Sequence, residues 1–386
     1  MPGADGPISV AMDATPLVGT RTGVGVAVAG YLGALAARRD LDITAYAMSA
    51  RRWRDLRGHL PAGVRAGRGP MPAGLLTRLW AKADHPVVET WTGAVDLVHG
   101  TNFVVPPARG AARLVTVHDL TPVRFPELCQ PGTRRYPELI RRAIRQGASV
   151  HAVSGFVAGE VVEAFDVDPG RVHVVCNGFA PPPRPTVVPG GPPYVLALGT
   201  TEPRKGFPDL VAAFDLVAES LPELRLTIAG PPGWAEDELQ AAIGRAVHRG
   251  RIDRVGWVED TTALMAGARA FAYPSLYEGF GFPPLEALAL GVPVVATSAG
   301  AIPEVVGDAA LLVAPRDVDA LAGALRAACD DEAVRRRLAD RAPSRVSTYT
   351  WDRAGRELAE LYRSLLLGRG SSAASSHQRG RSRPPS

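Results

Sequence analysis

Two glutamates, Glu278 and Glu286, lie eight positions apart in a segment that is otherwise almost wholly apolar, PSLYEGFGFPPLEALALG. Between them, Gly279 and Gly281 allow a ligand to approach the backbone closely. A helix opened by a proline is predicted to follow, and amides ahead of a helix N-terminus donate hydrogen bonds to anionic or polyhydroxylated ligands. Carboxylates beside such amides can accept hydrogen bonds from hydroxyl groups. The segment therefore predicts a site that binds diols rather than a pair of acids that transfer protons.

Glu286 also has a purely structural interpretation. We expect it in the first turn of the following helix, where an acidic side chain interacts with the helix dipole by up to about 1 kcal/mol without any ligand. This interpretation leaves Glu278 and the two glycines unexplained.

Two adjacent cations, Arg204 and Lys205, lie in the segment GTTEPRKGFPDL between a predicted strand and a predicted helix. Lysine is rare in this chain, since only Lys82 and Lys205 occur among 43 basic residues. Paired cations next to helix-terminal amides suit a diphosphate. A solvated basic loop is the alternative.

The N-terminal half places further polar groups after predicted strands. His118 and Asp119 end the strand of RLVTVHD, and His99 and Asn102 lie in VHGTNF. Ligands of parallel sheets bind at the carboxyl ends of strands, so we expect these side chains at a binding cleft. A structural histidine is the alternative for His118 and for His99.

A glycine-containing loop, TPLVGTRTGVGVAV, is predicted between the first strand and the first helix. Gly23 and Gly25 do not form a GxGxxG pattern, which argues against a dinucleotide fingerprint. Gly25 would still allow a phosphate to approach the helix N-terminus.

Other spacings exclude several kinds of site. Asp-Val-Asp occurs at 166–168 and 317–319, but we expect both to be solvated surface segments rather than metal ligands. No GxSxG is present, no histidine–cysteine cluster has metal-ligand spacing, and the three cysteines contain no CxxC pair. We therefore expect no metal site, no bound cofactor and a reducing compartment.

The charge distribution argues against nucleic acid as a partner. The formal net charge is +4, and residues 368–386 contain four arginines and no acid. Without this tail the chain is near neutral, so it lacks a basic surface for DNA or RNA. The arginine-rich segment 134–147 is interpreted as an exposed helix face, with a membrane-facing surface as the alternative.

The chain start, MPGADGPISVAMDA, has no charged region followed by an apolar run, and no apolar stretch reaches the roughly 20 residues of a membrane span. We therefore expect no signal peptide and a cytoplasmic location.

Short β-branched runs alternate with longer Ala/Leu/Arg segments, which is typical of an α/β fold with parallel sheets. The proline-rich segment 180–193 interrupts this pattern and is interpreted as a linker. We predict two doubly wound domains, at 1–180 and 181–349, followed by a last helix at 350–367. Residues 368–386 are predicted to be a disordered tail.

These segments, taken together, resemble a known family. EGFGFPPLE, GTTEPRKGF, AGPPGW, VGWVED and HDLTPVRFPE are similar to sequences of family-four retaining GT-B glycosyltransferases over about residues 8–367, closest to the mannosyltransferase subgroup. The resemblance implies two Rossmann-like domains facing across a cleft, with the last helix crossing back to the N-terminal domain. It also implies a nucleotide-sugar donor on the C-terminal domain, an acceptor on the N-terminal domain, and no metal.

The resemblance assigns roles to the predicted site residues. Glu286 would bind the donor ribose, Glu278 would meet hydroxyls of the transferred sugar, and Arg204 with Lys205 would neutralise the leaving diphosphate. His118 would orient the sugar or the acceptor, with Asp119 and Asn102 on the acceptor side. Further donor contacts are implied for Gly279, Phe280, Gly281, Phe282, Gly25, Gly230 and Val258.

The leading function is hexosyl transfer from GDP-mannose to a glycan or lipid-linked acceptor. Lipid-linked acceptors would bring peripheral contact with the inner face of a membrane. A UDP-glucose-dependent or other UDP-sugar-dependent enzyme and a non-catalytic nucleotide-sugar-binding protein remain the alternatives.

Overall fold

The computed structural model describes residues 6–19, 22–129, 132–185 and 191–379. It divides into two compact units, one formed by Met1–Gly178 with Thr350–Ser386 and the other by Phe179–Tyr349. We call them the first and the second unit. Part of the predicted linker, 186–190, and the end of the predicted tail, 380–386, lie outside the described residues.

The first unit is built on a parallel sheet of seven strands in its described part. The strands are β1 (Ile8–Asp13), β2 (Leu41–Tyr46), β3 (Arg65–Ala66), β4 (Leu97–Gly100), β5 (Ala112–Val117), β6 (Ser149–Ala152) and β7 (Val172–Val174). Their order in the sheet is β3-β2-β1-β4-β5-β6-β7. The helices between them are α1 (Gly23–Ala36), α2 (Ala73–Trp80), α3 (Glu89–Thr92), α4 (Thr121–Arg124), α5 (Tyr136–Arg145) and α6 (Gly155–Phe165).

The second unit repeats this plan with a six-stranded parallel sheet in its described part. The strands are β8 (Tyr194–Leu198), β9 (Arg225–Ala229), β10 (Ile252–Val255), β11 (Ala270–Tyr273), β12 (Val294–Thr297) and β13 (Ala310–Val313). Their order is β10-β9-β8-β11-β12-β13. The helices are α7 (Phe207–Ala218), α8 (Glu236–Arg245), α9 (Thr261–Ala266), α10 (Phe282–Leu290), α11 (Ile302–Val306), α12 (Val318–Asp330) and α13 (Glu332–Ser347).

Both sheets reverse their strand order once, between β1 and β4 in the first unit and between β8 and β11 in the second. This is the Rossmann order, in which the loops after the two central strands diverge and leave a crevice for ligands. The central strands are buried on both faces, so they read as continuous apolar runs rather than alternating ones. The α/β prediction with two Rossmann-like sheets is confirmed.

The last helix, α14 (Trp351–Arg379), returns to the first unit and packs against α1. A Cβ atom at Gly30 would lie 2.2 Å from the Trp351 ring, so only glycine lets the two helices approach this closely. The helix extends beyond residue 367, where we expected it to end, because no proline occurs before residue 384 to stop it. None of the helices in the described part of the chain has the length and apolar character of a membrane span.

A chain of buried hydrogen bonds joins α14 to the first sheet. The Tyr362 hydroxyl lies 2.7 Å from His99 Nδ1, and His99 Nε2 lies 2.7 Å from Thr116 Oγ1. Thr116 Oγ1 lies 2.9 Å from His151 Nδ1, and His151 Nε2 lies 2.8 Å from the Val175 carbonyl oxygen. His99 was expected at the binding cleft, but its side chain is wholly buried and serves this structural chain instead.

Only one arrangement of protons satisfies this series of hydrogen bonds from Tyr362 to Val175. Burial lowers the pKa of His151 to about 4 and lowers that of His99 well below its ordinary value, so both rings are neutral. The Val175 carbonyl can only accept, so His151 Nε2 donates to it and His151 Nδ1 must accept from Thr116. By the same logic His99 Nε2 donates to Thr116 and Tyr362 donates to His99. Every polar side chain of this hydrogen-bonded series is thereby satisfied.

We predict that Thr116→Val lowers the free energy of unfolding by about 2–4 kcal/mol, because it leaves one donor on His99 and one acceptor on His151 buried without partners. Urea unfolding measures this loss. Thr44→Val in β2 is the matched control and should cost less than about 1 kcal/mol, since its hydroxyl accepts only a 3.3 Å hydrogen bond from Arg65. Equal losses in both variants would contradict the proton arrangement.

The buried, neutral His151 in this hydrogen-bond series predicts that the free energy of unfolding depends on pH. The unfolded chain binds protons at histidine near pH 6.5, whereas folded His151 binds one only near pH 4. The stability contributed by this ring is therefore complete above pH 6.5 and is lost as the pH falls towards 4. Wild-type stability that stays constant across this window would show that His151 is not held neutral.

Candidate active site

The candidate site lies where the second sheet reverses its strand order. β8 and β11 are adjacent central strands, and the loops that follow them lead into α7 and α10. Arg204 and Lys205 follow β8, whereas Glu278 follows β11, so parallel pairing brings their loops to the same edge of the sheet. Ligands of doubly wound sheets bind at this position.

Close backbone contacts lock the two loops together. Arg204 and Lys205 lie in a short 3₁₀ turn that ends at Gly206, whose φ of 65° is in the left-handed region. A Cβ atom at Gly206 would lie 2.2 Å from the Pro274 carbonyl oxygen, so this position requires glycine. The Leu276 amide donates a 2.7 Å hydrogen bond to the Arg204 carbonyl. The position of the cations relative to Glu278 is thus fixed by the backbone.

Glu278 pairs with both cations through one oxygen. Lys205 Nζ lies 2.6 Å and Arg204 Nη1 lies 2.9 Å from Glu278 Oε1. Arg204 Nε also lies 2.8 Å from the Glu202 carboxylate. The side chains of Glu278 and Lys205 are only 12% and 10% exposed, so these charges interact with little screening by solvent.

The charges of this cluster stabilise one another. Burial alone would raise the pKa of Glu278, but the positive charges of Lys205 and Arg204 outweigh it and lower this pKa to about 2. Burial lowers the pKa of Lys205, and the Glu278 charge opposes that shift. Tyr273 adds a hydroxyl that donates to Glu278 and lies 3.5 Å from Lys205 Nζ. Glu278 is therefore an ionised, weakly basic carboxylate.

A third loop, after β12, holds the backbone of Glu278. The Ala301 amide donates a 2.9 Å hydrogen bond to the Glu278 carbonyl. Gly300 has a φ of 60°, and a Cβ atom there would lie 2.2 Å from the same carbonyl oxygen. This contact orients the loop that leads from Glu278 into α10.

The predicted glycine turn is formed by Gly279, Phe280 and Gly281, all buried, and it runs into α10 at Phe282. Gly281 has a φ of 120°, which few residues other than glycine adopt. The Phe280 ring is anchored edge-on against Phe282 at 5.2 Å and against Tyr349 at 5.5 Å. The turn is thus held rigidly ahead of the N-terminus of α10.

Glu286 lies in the second turn of α10 and not in the first, because the helix begins at Phe282, before the two prolines. The prediction of a first-turn position was wrong, and the interaction with the helix dipole weakens beyond the first turn. Its side chain is half-buried, and burial raises the pKa of its carboxyl. No ion pair or side-chain hydrogen bond to it is found among the described residues. A carboxylate in this state can accept hydrogen bonds from a ligand.

Gly230 and Val258 follow the neighbouring strands β9 and β10. A Cβ atom at Gly230 would lie 2.1 Å from the Gly199 carbonyl oxygen, and its own amide donates a 2.9 Å hydrogen bond to Gly256. Close packing therefore already explains the glycine at 230. Val258 is half-buried and follows Trp257, a residue that is 70% exposed.

Gly25 lies in the first unit, inside the first turn of α1 and not in a loop. The predicted loop is shorter than expected because Thr22 caps the helix and α1 begins at Gly23. The Thr22 hydroxyl oxygen accepts a 3.4 Å hydrogen bond from the Gly25 amide. The predicted loop position was wrong, while a role for Gly25 towards a phosphate stays a prediction.

His118, Asp119 and Asn102 lie after β5 and β4, at the carboxyl edge of the first sheet. His118 is buried, and its Nε2 lies 2.7 Å from the Thr101 carbonyl, which makes Nε2 the donor. Asp119 caps a turn, accepting a 2.9 Å hydrogen bond from the Thr121 amide. Asn102 is half-buried. Of these three, His118 is the most firmly oriented.

Two members of the second-unit site were not predicted. Glu202 lies in the quoted segment GTTEPRKGF, two positions before Arg204, which was the available signal. Tyr273 ends a wholly apolar strand, and nothing in the sequence indicates that its hydroxyl meets a carboxylate. In the described part of the chain, no group of three or more His, Cys, Asp or Glu side chains is placed to hold a metal ion.

We predict that Glu278→Gln lowers the free energy of unfolding by about 3–5 kcal/mol, because it leaves the Lys205 ammonium buried without its counter-ion. Urea unfolding at pH 7 measures this, and Glu332→Gln is the control. Glu332 pairs with Arg336 on the surface at 3.0 Å, so its loss should cost less than about 1 kcal/mol.

This difference between the wild type and Glu278→Gln should also depend on pH. The folded pKa of Glu278 is depressed to about 2, so its contribution is complete above the ordinary value near 4.5 and is lost as the pH falls towards 2. A difference that stays constant down to pH 3 would contradict the charge pairing.

Two family models match the chain. Residues 21–181 match Glycosyltransferase Family 4, and residues 192–331 match Glycosyl transferases group 1. The O-antigen chain mannosyltransferase B of Escherichia coli is 32% identical over 284 residues, which is 70% of this chain and 74% of that protein. The MMP alpha-(1->4)-mannosyltransferase of Mycolicibacterium hassiacum is 32% identical over 302 residues, 71% of this chain and 72% of that protein.

Solved structures share the fold. The sucrose-phosphate synthase of Thermosynechococcus elongatus has a TM-score of 0.71 at 19% identity and covers 94% of this chain and all of its own. HepE of Anabaena, solved in complex with UDP-glucose, has a TM-score of 0.67 at 18% identity and covers 92% of this chain and all of its own. The two parallel α/β units thus form a GT-B fold, and with the family matches they establish that this chain is a glycosyltransferase of family 4.

Proposed function

We propose that the chain transfers a hexose, most simply mannose from GDP-mannose, to a glycan or lipid-linked acceptor, with retention of configuration and without a metal or cofactor. The observation that carries the proposal is the cluster of Glu278, Lys205 and Arg204 next to the N-terminus of α10. This cluster brings two cations and one ionised acid to the point where the second sheet reverses its strand order, beside the glycine turn that leads into α10.

Glu286 would bind the ribose of the donor. Its carboxylate is half-buried, its pKa is raised by burial, and it has no partner among the described residues. A ribose diol offers two donors, which match the two oxygens of a carboxylate. Binding would relieve the unfavourable burial of this acid.

Arg204 and Lys205 would hold the diphosphate. In the free chain their charges are balanced by Glu278 and Glu202. A diphosphate can replace these carboxylates as the acceptor of their hydrogen bonds, with the amides ahead of α10 as additional donors. As the sugar departs, negative charge grows on the phosphate, and fixed cations nearby lower the energy of that transition state.

Glu278 would accept hydrogen bonds from hydroxyl groups of the transferred sugar rather than act as a nucleophile or a base. Its pKa of about 2 makes it a weak base. We propose that the acceptor attacks on the face from which the phosphate leaves, so that a phosphate oxygen takes the acceptor proton and the configuration is retained. In this mechanism the protein's own residues bind the donor, orient its sugar and neutralise the charge of the leaving diphosphate.

The choice of mannose as the transferred sugar is supported by the two relatives named as mannosyltransferases, and GDP as its carrier is part of our proposal. UDP-glucose is the second candidate, since HepE was solved with that sugar nucleotide.

A donor screen tests the proposal. We predict that GDP and GDP-mannose raise the melting temperature of the wild type with EDTA present, whereas UDP and UDP-glucose do not. In Glu286→Gln the shift should shrink, because the amide replaces one oxygen acceptor of the ribose with a donor. Stabilisation by UDP alone would move the donor to the second candidate, and no shift with any nucleotide would contradict the proposed function.

Lys205→Ala should lower kcat by about 10²–10³ while it weakens donor binding less, because the charge of the leaving group is greatest in the transition state. Initial-rate kinetics and equilibrium binding of GDP-mannose separate the two effects. Lys82→Ala is the matched control, since Lys82 is the only other lysine and lies exposed in the first unit. Normal turnover in Lys205→Ala would contradict the diphosphate role.

A further inference from the structure

One largely buried arginine of the second unit has no role in the predicted site. Arg254 belongs to β10, and its side chain is only 11% exposed. Its Nε and Nη2 lie 3.1 Å and 2.8 Å from the two oxygens of Glu236, as a bidentate pair. Nη2 also donates to Thr201 Oγ1 at 3.0 Å, while Nη1 donates to the Gly230 and Val255 carbonyl oxygens at 2.9 Å and 2.6 Å. Each nitrogen of the guanidinium group therefore already has a protein partner.

The Thr201 hydroxyl closes this pair into a triangle of side chains. It accepts a hydrogen bond from Arg254 and donates one of 2.7 Å to Glu236 Oε2. Hydrogen bonds from Arg254 lower the pKa of Glu236 to about 2, so the acid is ionised. Thr201 itself is only 1% exposed. We call Arg254, Glu236 and Thr201 the Arg254 cluster.

The Arg254 cluster ties together the ends of three adjacent strands. Thr201 follows β8, Gly230 follows β9, and Arg254 lies in β10, the strands being neighbours in the order β10-β9-β8. Glu236 is the first residue of α8, the helix between β9 and β10. One guanidinium group thus fixes the loops after β8 and β9 against the end of β10.

Backbone contacts reinforce the link between the first two of these loops. The Thr201 amide donates a 3.2 Å hydrogen bond to the Pro231 carbonyl, and the Ala235 amide donates one of 3.1 Å to the Thr201 carbonyl. A Cβ atom at Gly233 would lie 2.3 Å from that same carbonyl oxygen, so only glycine lets the loops approach this closely. Thr201 is therefore held through both its backbone and its side chain.

Thr201 is one of two anchors of the loop that carries the site cations. It lies three positions before Arg204, whose carbonyl accepts the 2.7 Å hydrogen bond from the Leu276 amide on the opposite side of the loop. Only a tight turn separates the two anchors, closed by a 2.9 Å hydrogen bond from the Lys205 amide to the Glu202 carbonyl. A shift of Thr201 would therefore be passed on to both cations.

We propose that Arg254 is a positioning residue of the transfer site, which acts through Thr201 to hold Arg204 and Lys205 in register with the donor diphosphate. Its own donors are occupied by the protein, so it aligns the cations rather than touching the donor. A lysine could not replace it, because an ammonium group has three donors and lacks the planar fork that reaches Glu236, Thr201 and the strand ends together. This inference rests on the proposed function, since it concerns the same site.

Thr201→Val tests the link, because it removes the hydroxyl and keeps the backbone hydrogen bonds and the Arg254–Glu236 pair. Isothermal titration should show the preference for GDP over GMP falling about threefold to tenfold, the equivalent of one hydrogen bond, while GMP binding is unchanged. We expect kcat to fall about tenfold through misplaced cations, with little change in the KM of the donor. Thr201→Ser restores the hydroxyl and should restore both values.

A purely structural role of the Arg254 cluster predicts a different result. Thr201→Val would then lower the melting temperature but leave the GDP preference and kcat at wild-type levels, which would overturn the positioning role.

Arg254→Lys with Arg225→Lys as its control separates positioning from the loss of an ion pair. Arg225 begins β9 and forms a bidentate pair with Asp253 of β10, at 2.8 Å and 2.7 Å. Both variants lose a bidentate pair, so both should have a lower melting temperature. Only Arg254→Lys should also lower the GDP preference and kcat. The same GDP preference in the two variants would overturn the inference.

Amide hydrogen exchange of the full chain without nucleotide keeps this inference distinct from the proposed function. We expect residues 200–206 to exchange faster in Thr201→Val than in the wild type and in Thr201→Ser, because the loop has lost one anchor. A wild type that binds no nucleotide overturns the proposed function, whereas faster exchange in Thr201→Val still supports the anchoring by Arg254. A wild type that prefers GDP, with exchange and preference unchanged in Thr201→Val, overturns only the positioning role.

Discussion

The carboxylate of Glu278 makes the rest of the second-unit site possible. An ammonium and a guanidinium this far from solvent would be strongly destabilising unless an acid neutralised them. Glu278 meets Lys205 at 2.6 Å and Arg204 at 2.9 Å, and the three charges are held by contacts that only glycine permits, at Gly206 and Gly300. The loops after three strands are thus fixed in one arrangement before any ligand binds. Preorganised charge of this kind would suit the departing diphosphate of the proposed reaction.

Much of this arrangement could be predicted, because parallel sheets place the ends of their strands along one edge. The apolar runs indicated the strands, and the polar groups that follow them, Arg204, Lys205, Glu278 and His118, lie at the carboxyl edges as expected. Helix starts were less predictable. α1 begins at Gly23 because Thr22 caps it, whereas α10 begins at Phe282, before its prolines, without a side-chain cap from Gly281.

Contacts between residues far apart in the chain could not be predicted. His99 and Tyr362 are 263 positions apart, and only the return of α14 to the first sheet makes one the partner of the other. The pairing of Asp13 with Tyr46 depends on the register of β1 and β2, which a single sequence does not reveal. Buried polar groups therefore gave the main surprises. Some are fully satisfied and structural, whereas Asp13 Oδ2 and the Tyr46 hydroxyl have no hydrogen-bond partner among the described residues.

The central claim is that Lys205 and Arg204 exchange Glu278 for the diphosphate of the donor. Isothermal titration of GDP and GMP into the wild type, Lys205→Met and Arg204→Met tests it most directly, because the two nucleotides differ by one phosphate. The account predicts that the wild type prefers GDP at least about tenfold and that either substitution largely removes this preference, since charge-assisted hydrogen bonds to phosphate are lost. A preference for GDP that is the same in all three proteins would contradict it.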